Sequence, residues 1–522
     1  MAQNSAETNK ISTDSCVTQY FVAKVSSDPL NVSPKDSLVQ LACYRNRVLH
    51  GEQITLSPSG DTSVVSHYFM GIQHGAYTSF YPSSQVKISS NYLLGELEGS
   101  YTRYYSNGNL AAKGRYQDGK PHGYWENYYP NGALASQGKL FLGKSSGTWR
   151  FFHPNGKLKQ TELWKDFILV ELSPFYTPEG SAKNIGDYQN GQGNIIWYRD
   201  NGTMKEKASY YKGLKQGRAQ LFNEKETKVE EYFYQRDTLH GPYFKYHGNG
   251  TLSETGFFVK GIVEGAFHRY DSAAQLQQKG IFKNSKKEQL WYTYHPSGTV
   301  RAQVVYSDNI KEGEAIVFDE AGNVSQRGRY LNNEKEGVWK RFFPNQNIRR
   351  IENYKHGLLE GDFVEYLESG ALAVKGSYHQ HKKEGRWEYY QLATTVAFLF
   401  SEDESRFVLN RKKKTKAATT TPLLVGHFKN GLKEGAWEYK YAQGKPLQTE
   451  TWKNGQLIKV SAQLLPNGKK CKSGKIENGN GRRTFYDANG KKYLEGFYQK
   501  GIPSGIWKYY DRKENLMRQV VM

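Results

Sequence analysis

The chain has 522 residues, a formal net charge of +21, 37% hydrophobic residues and 14% aromatic residues. Its length by itself suggests about three or four globular domains. No stretch has the apolar length of a bilayer-crossing helix, and the three cysteines, Cys16, Cys43 and Cys471, fit no CxxC metal or redox spacing.

Residues 1–26 are polar, lack an apolar core, and read as an irregular segment with no visible signal peptide or anchor. The opening Ala2-Gln3-Asn4 resembles the start of mature exported bacterial envelope proteins. Two compartments therefore stand open: the periplasm or cell envelope of a bacterium if the chain is a trimmed mature form, otherwise the cytoplasm. Cys16 and Cys43 are candidates for a pair in an oxidising compartment and are otherwise free thiols. Residues 27–50, with Val39, Leu41 and Tyr44, read as a degenerate hairpin capping the sheet edge.

From Gly51 to the end one pattern recurs, mostly every 24 residues, and it overrides the length prior. With the first residue of each unit as position zero, the unit from Gly123 reads GYWENYYPNGALASQGKLFLGKSSG. Position two carries Trp125, Trp149, Trp291, Trp339, Trp387, Trp437 and Trp507. Position seventeen is almost always aromatic, as in Tyr116, Tyr330, Tyr378 and Tyr498, and position eleven is usually aliphatic, as in Leu134 and Ile348. Short runs of Tyr, Phe, Trp, Val and Leu bounded by Gly and Asn read as β-hairpins, and no part of the repeat sustains a helical period.

Tyr129-Pro130-Asn131-Gly132 sets the turn. Proline presets the first central position of a type I turn, and glycine takes the left-handed position of the bulge that follows. That three-residue loop places position five opposite position eleven, as Tyr128 opposite Leu134. A two-residue loop would place position two opposite position fifteen, as Trp125 over Gly138, and would need Pro130 as a ladder donor. The bulged register is the favoured one.

These residues carry a resemblance. The pattern G-x-W-x-x-Y-Y-x-N-G-x-L-x-x-x-G-x-Y resembles the bacterial MORN-repeat variant, found in proteins often labelled YwqK-family antitoxins, over roughly residues 51–522. The resemblance implies an all-β fold: an elongated, twisted antiparallel sheet, open rather than closed, of about nineteen 24-residue hairpins. It implies no cofactor and brings no catalytic residue with it.

Three departures interrupt the rhythm. In 147–193 and again in 435–481, a unit with tryptophan at position seventeen (Trp164, Trp452) precedes one that is two residues short, a paired structural variation. The unit from Gly385 contains an insertion at about 391–420, with VAFLF, SEDES, RFVLN and RKKKTK runs. Its Phe398, Phe400, Phe407, Arg411, Lys412, Lys413, Lys414 and Lys416 form a candidate docking element for an acidic protein or polyanion, against the plainer reading of a solvated loop. The other candidate surface is an aromatic sheet face made by the seven position-two tryptophans.

Lysines in the inter-hairpin loops (Lys215, Lys335, Lys382, Lys383, Lys433) stand beside acids (Glu334, Glu336, Glu384, Glu434), which reads as mixed surface charge. An enzyme reading finds little. His379 and His381 form an isolated H-x-H, His153, His247 and His295 share position six, and Glu477 to Gly481 lacks the lysine of a phosphate loop. The expectation is a non-enzymatic scaffold for protein–protein interaction, with an accessory role in a bacterial envelope complex. The alternatives are a peripheral binder of anionic lipid or another polyanion, and an antitoxin-like protein that masks a toxin. Protein partners, unidentified, are expected first, anionic surfaces second and specific nucleic acid least; metals and cofactors are not expected.

Overall fold

The computed structural model describes the whole chain except residues 1–16, 25–36, 46–47, 58–59, 391–420 and 512, and describes the side chains from residue 42 onward. Cys16 and all eight residues named in the insertion lie outside the described residues.

The fold is all-β, in long antiparallel sheets of successive hairpins that do not close into a barrel. Among the described residues thirteen strands, from Val17–Lys24 to Ile168–Leu172, make the first sheet, each hydrogen-bonded to its neighbours in chain order. A two-stranded piece pairs Phe175–Tyr176 with Ala182–Lys183. Twenty-three strands from Gly193–Tyr198 to Gln456–Val460 and five from Gly474–Glu477 to Leu516–Val521 form the other sheets. The chain falls into two compact units, Met1–Leu252 with Phe258–Gly261, and Ser253–Phe257 with Ile262–Met522. Repeat pairing begins earlier than the sequence suggests. Val17–Lys24, inside the segment read as irregular, is a strand paired with Ser37–Arg45, which pairs on its other side with Val48–Leu56.

Two turn types alternate. At one edge Tyr129 N–H donates to Ala133 C=O (2.8 Å) and Gly132 N–H to Tyr129 C=O (2.9 Å), with Gly132 at φ 86°, the type I turn and left-handed residue expected from Pro-Asn-Gly. At the other edge Phe141 pairs with Lys144 across a two-residue loop, with Leu142 at φ 48° and Gly143 at φ 85°. Both central residues being left-handed marks a type I′ turn, whose twist suits the strands. His379 and His381 belong to such a turn. His379 Nδ1 lies 2.9 Å from Glu360 Oε1, and Leu359 N–H donates to His381 Nδ1 (2.9 Å).

The two registers weighed from the sequence both occur. Tyr128 faces Leu134, position five on position eleven; Trp125 faces Gly138, position two on position fifteen. Ala135 is left over between them as a β-bulge. The hairpin Glu334–Phe342 with Ile348–Lys355 repeats the arrangement, Phe342 facing Ile348 and Trp339 facing Glu352.

Units are stitched at both edges. At the Pro-Asn-Gly edge, position six reaches the next unit: Tyr105 Oη donates to Tyr128 C=O (2.7 Å), Tyr129 Oη to Phe152 C=O (2.9 Å), and His153 Nε2 lies 2.7 Å from Tyr176 C=O. The position-six histidines are therefore stand-ins for tyrosine. At the type I′ edge, Gly143 N–H donates to Pro121 C=O (2.7 Å). There too Glu336, Glu384 and Glu434 accept the amides of His356 (2.9 Å), Asn430 (2.7 Å) and Asn454 (2.7 Å). These glutamates are turn anchors rather than solvated surface charge.

The ladder is interrupted at the two paired departures. Ser173 and Ser461 each donate their N–H to the previous strand (Thr161 C=O and Thr449 C=O, both 2.8 Å) while accepting that residue's N–H on Oγ, both at 2.9 Å. A side-chain oxygen replaces the backbone carbonyl, and the chain leaves the sheet just beyond each serine.

Candidate interaction surface

The seven position-two tryptophans do not form an open face. They are buried, from 0% exposed at Trp507 to 7% at Trp125 and Trp149. Each indole lies flat on a glycine of the preceding strand. A Cβ built on Gly114, Gly138, Gly280, Gly328, Gly376, Gly426 or Gly496 would stand 2.1–2.4 Å from the ring of the tryptophan eleven residues later. None of these glycines has a positive φ, so the constraint is the ring and not the backbone.

The position-seventeen ring closes the side. Tyr330 meets Trp339 at 5.1 Å and 76°, Tyr378 meets Trp387 at 5.2 Å and 90°, and Phe428 meets Trp437 at 5.0 Å and 89°. Edge-to-face packing of this kind is favoured by the ring quadrupole. The indole N–H donates to a backbone carbonyl at the next bulge, as Trp339 Nε1 to Arg329 C=O (3.1 Å) and Trp387 Nε1 to Ser377 C=O (3.1 Å).

Lysines cover the top. Lys335 Nζ lies 4.4 Å from the Trp339 ring and 4.8 Å from Tyr354, Lys383 Nζ 4.3 Å from Trp387, and Lys433 Nζ 4.6 Å from both Trp437 and Trp452. Burial, with Arg341 nearby, pushes the Lys335 amine below its usual range. The loop lysines at this position thus spend their stems and charge on the ring column, a cation–π contact together with apolar cover. The expected aromatic sheet face is corrected on this ground: the tryptophans are packing material.

On the opposite face, at position fourteen, a buried carboxylate is consumed in pairs. Glu231, 5% exposed, takes two hydrogen bonds from Arg218 (both 2.8 Å), one from Lys228 (3.0 Å) and one from Gln220 (3.2 Å). Burial raises its carboxyl, but those partners outweigh it and hold the group down to about 2. A carboxyl depressed in the folded state contributes stability that is present above its unfolded value and lost as pH falls toward the folded one. Replacing Glu231→Gln is therefore expected to flatten the loss of stability between about pH 5 and pH 2. Chemical denaturation at a series of pH values checks this; an unchanged acid slope would show the pair to be idle.

What remains open is this face opposite the tryptophans. Position eighteen follows the buried position-seventeen ring and so points the opposite way. There Phe69 is 50% exposed, Leu93 50%, Phe141 50% and Tyr211 53%, and their cross-strand partners Ile72 and Leu214 are 47% and 39% exposed. Sequence reasoning missed this row because it followed the tryptophans. The signal was available in the apolar residues flanking each Gly-containing loop.

Six segments of the chain, residues 73–93, 97–118, 121–140, 146–166, 335–356 and 479–500, match the family model for the MORN repeat variant. The chain carries MORN-variant repeats, as the hairpin pattern implied. No curated protein matches it. Among solved structures it is similar to the Tc holotoxin pore of Photorhabdus luminescens, at 9% identity over 94% of this chain and 30% of that one, with a TM-score of 0.13. It is also similar to the TcdB2-TccC3-Cdc42 structure, at 9% identity over 94% and 31% of the two chains, TM-score 0.13. The chain thus spans under a third of either, and likenesses at these scores carry no argument about its role.

Proposed function

We propose that this array of MORN-variant repeats is a non-enzymatic scaffold that binds other proteins through the face opposite its tryptophan spine. The supporting observation is the row of half-exposed apolar side chains, Phe69, Ile72, Leu93, Phe141, Tyr211 and Leu214, repeated near the type I′ turns. Apolar side chains gathered on one open face, rather than scattered singly, are a mark of interaction sites. Neighbouring hairpins place such residues about 10 Å apart, two strand spacings, which suits a partner with its own regular surface. The non-enzymatic part of the reading is supported by where two depressed carboxyls sit: Glu231 and Glu450 are both tied up in structural pairs.

The test is an affinity pull-down from the source organism, read by mass spectrometry, with three forms: the intact chain, a variant with Phe69→Ser, Leu93→Ser, Phe141→Ser and Tyr211→Ser, and a chain lacking residues 391–420. A partner lost only with the serine variant, whose circular dichroism matches the intact chain, is the expected result. A partner lost only on deletion would move the site to the insertion, and one held by all three would exclude both surfaces.

A further inference from the structure

On the open face of the second unit one cross-strand row runs straight over six strands. Ile316 faces Arg327, Arg327 faces Lys340, Lys340 faces Ile351, Ile351 faces Val364, and Val364 faces Lys375. Arg327 and Lys340 also line an open pocket of about 860 Å³ whose apolar wall includes Val338, Phe342 and Ile348. Two cations directly opposite one another across an antiparallel pair cost stability. Acids do not relieve this doublet fully. Glu314 takes Arg327 through both Nε (2.6 Å) and Nη2 (2.5 Å), and Glu336, which also lines the pocket, accepts the His356 amide (2.9 Å), so Lys340 is the cation of the doublet that these acids leave unmet. Lys340 is exposed, and its other cross-strand neighbour is Ile351.

We propose that this row and its pocket dock an acidic segment of a partner protein, one in which carboxylates stand next to aliphatic side chains. The proposal rests on the partner-binding reading above and names the chemistry of one partner. The row sets a basic doublet, Arg327 and Lys340, beside an aliphatic doublet, Ile351 and Val364, at the strand spacing of about 4.8 Å. A carboxylate on the partner pairs with Lys340, and its aliphatic side chains cover Ile316, Ile351 and Val364. A phosphate backbone or lipid headgroup layer would satisfy the cations and leave those aliphatic positions without a counterpart, so a peptide is the better match. Electrostatic complementarity of this type sets specificity and association rate, and it weakens with salt.

The probe is a fluorescein-labelled peptide, Leu-Glu-Glu-Leu-Val-Glu with neutral ends, titrated with the full chain and read by anisotropy. Saturable binding is expected, reduced about tenfold or more by Lys340→Glu and weakened as salt rises. The lysine counterpart, Leu-Lys-Lys-Leu-Val-Lys, is expected to bind the Lys340→Glu chain better than the native one. Lys340→Ala serves as a second variant if the reversal disturbs folding by circular dichroism. Absent or unsaturable binding of the acidic peptide overturns the proposal, as does equal binding to native and variant chains. Vesicles of anionic phospholipid that bind in a Lys340-dependent way and displace the peptide would also overturn it, in favour of a headgroup site. A pull-down partner retained by Lys340→Glu leaves the scaffold reading standing and removes this site from it, so the two failures are distinguishable.

Discussion

Replacing Gly328 by alanine is expected to destabilise its repeat by about 3–5 kcal/mol, the scale of losing a buried aromatic side chain. The added Cβ would stand 2.1 Å from Cδ2 of Trp339, an indole only 1% exposed. Trp339 would have to leave its place, and with it would go the contact to Tyr330, the N–H bond to Arg329 C=O and the lysine cover. A matched control is Gly337→Ala. That residue has φ 65° and nothing within 4 Å of a new Cβ, so it suffers only the left-handed penalty of roughly 1–2 kcal/mol.

The chain itself contains the rescue. Where position two is alanine, position fifteen of the preceding unit, which a tryptophan there would cover, is not glycine: Ala219 faces Ala208 and Ala315 faces Val304. In a Trp339→Ala background, Gly328→Ala is therefore expected to cost almost nothing. Because repeat arrays need not unfold as one unit, amide exchange of the strands around Gly328 is the sharper measurement beside chemical denaturation. If Gly328→Ala costs no more than Gly337→Ala, or its cost persists without the tryptophan, the glycine–indole column is not what sets the packing.

The second large effect lies at the interruption near Val460. Arg483 and Glu450 are 2% and 0% exposed and pair directly. Glu450 also accepts Tyr439 Oη (2.8 Å) and Trp452 Nε1 (2.9 Å), and Arg483 donates to Gln448 Oε1 (3.0 Å) and lies 4.2 Å from the Phe485 ring. Burial opposes charge on both, yet each holds the other ionised: the carboxyl is lowered and the guanidinium raised. The pair ties the strand Pro446–Lys453 to Asn480–Tyr486, which belong to different sheets.

Arg483→Met is expected to cost about 3–5 kcal/mol at neutral pH, because it strands a buried carboxylate. The sign with pH follows. Without arginine, the carboxyl of Glu450 titrates above its unfolded value, so the folded variant takes up a proton first and its deficit shrinks as pH falls. Adding Glu450→Gln removes the stranded charge and is expected to recover much of the loss. A deficit that stays constant with pH, or a double variant no better than the single one, would show that the arginine matters only as volume.

The other interruption displays the contrast natively. Glu162 holds the place of Glu450 and takes the same indole hydrogen bond, from Trp164 Nε1 at 2.9 Å, but Ile195 stands where Arg483 does. There burial raises the carboxyl. Tryptophan at position seventeen of both units, noted from the sequence as a shared oddity, has its explanation in this bond.

The sequence by itself determined the period, the hairpins and the turn at the Pro-Asn-Gly edge, because that tripeptide specifies backbone geometry locally, while the type I′ geometry of the Gly-containing edge came with the structure. The pairing of tryptophan with the glycine eleven residues before it was also present in the spacing. What the tertiary structure alone decided was which face is open. One unpaired residue, Ala135 in the unit from Gly123, lets two registers coexist that alternation treats as exclusive, because a bulge shifts the pairing partway along a strand. The tryptophan side looked accessible because a single sheet has two faces. It is closed by rings from adjacent hairpins and by lysine stems laid across them, contacts between units that no single repeat contains. The Arg483–Glu450 tie joins residues 33 apart on different sheets, and only the path of the chain beyond Ser461 brings them together.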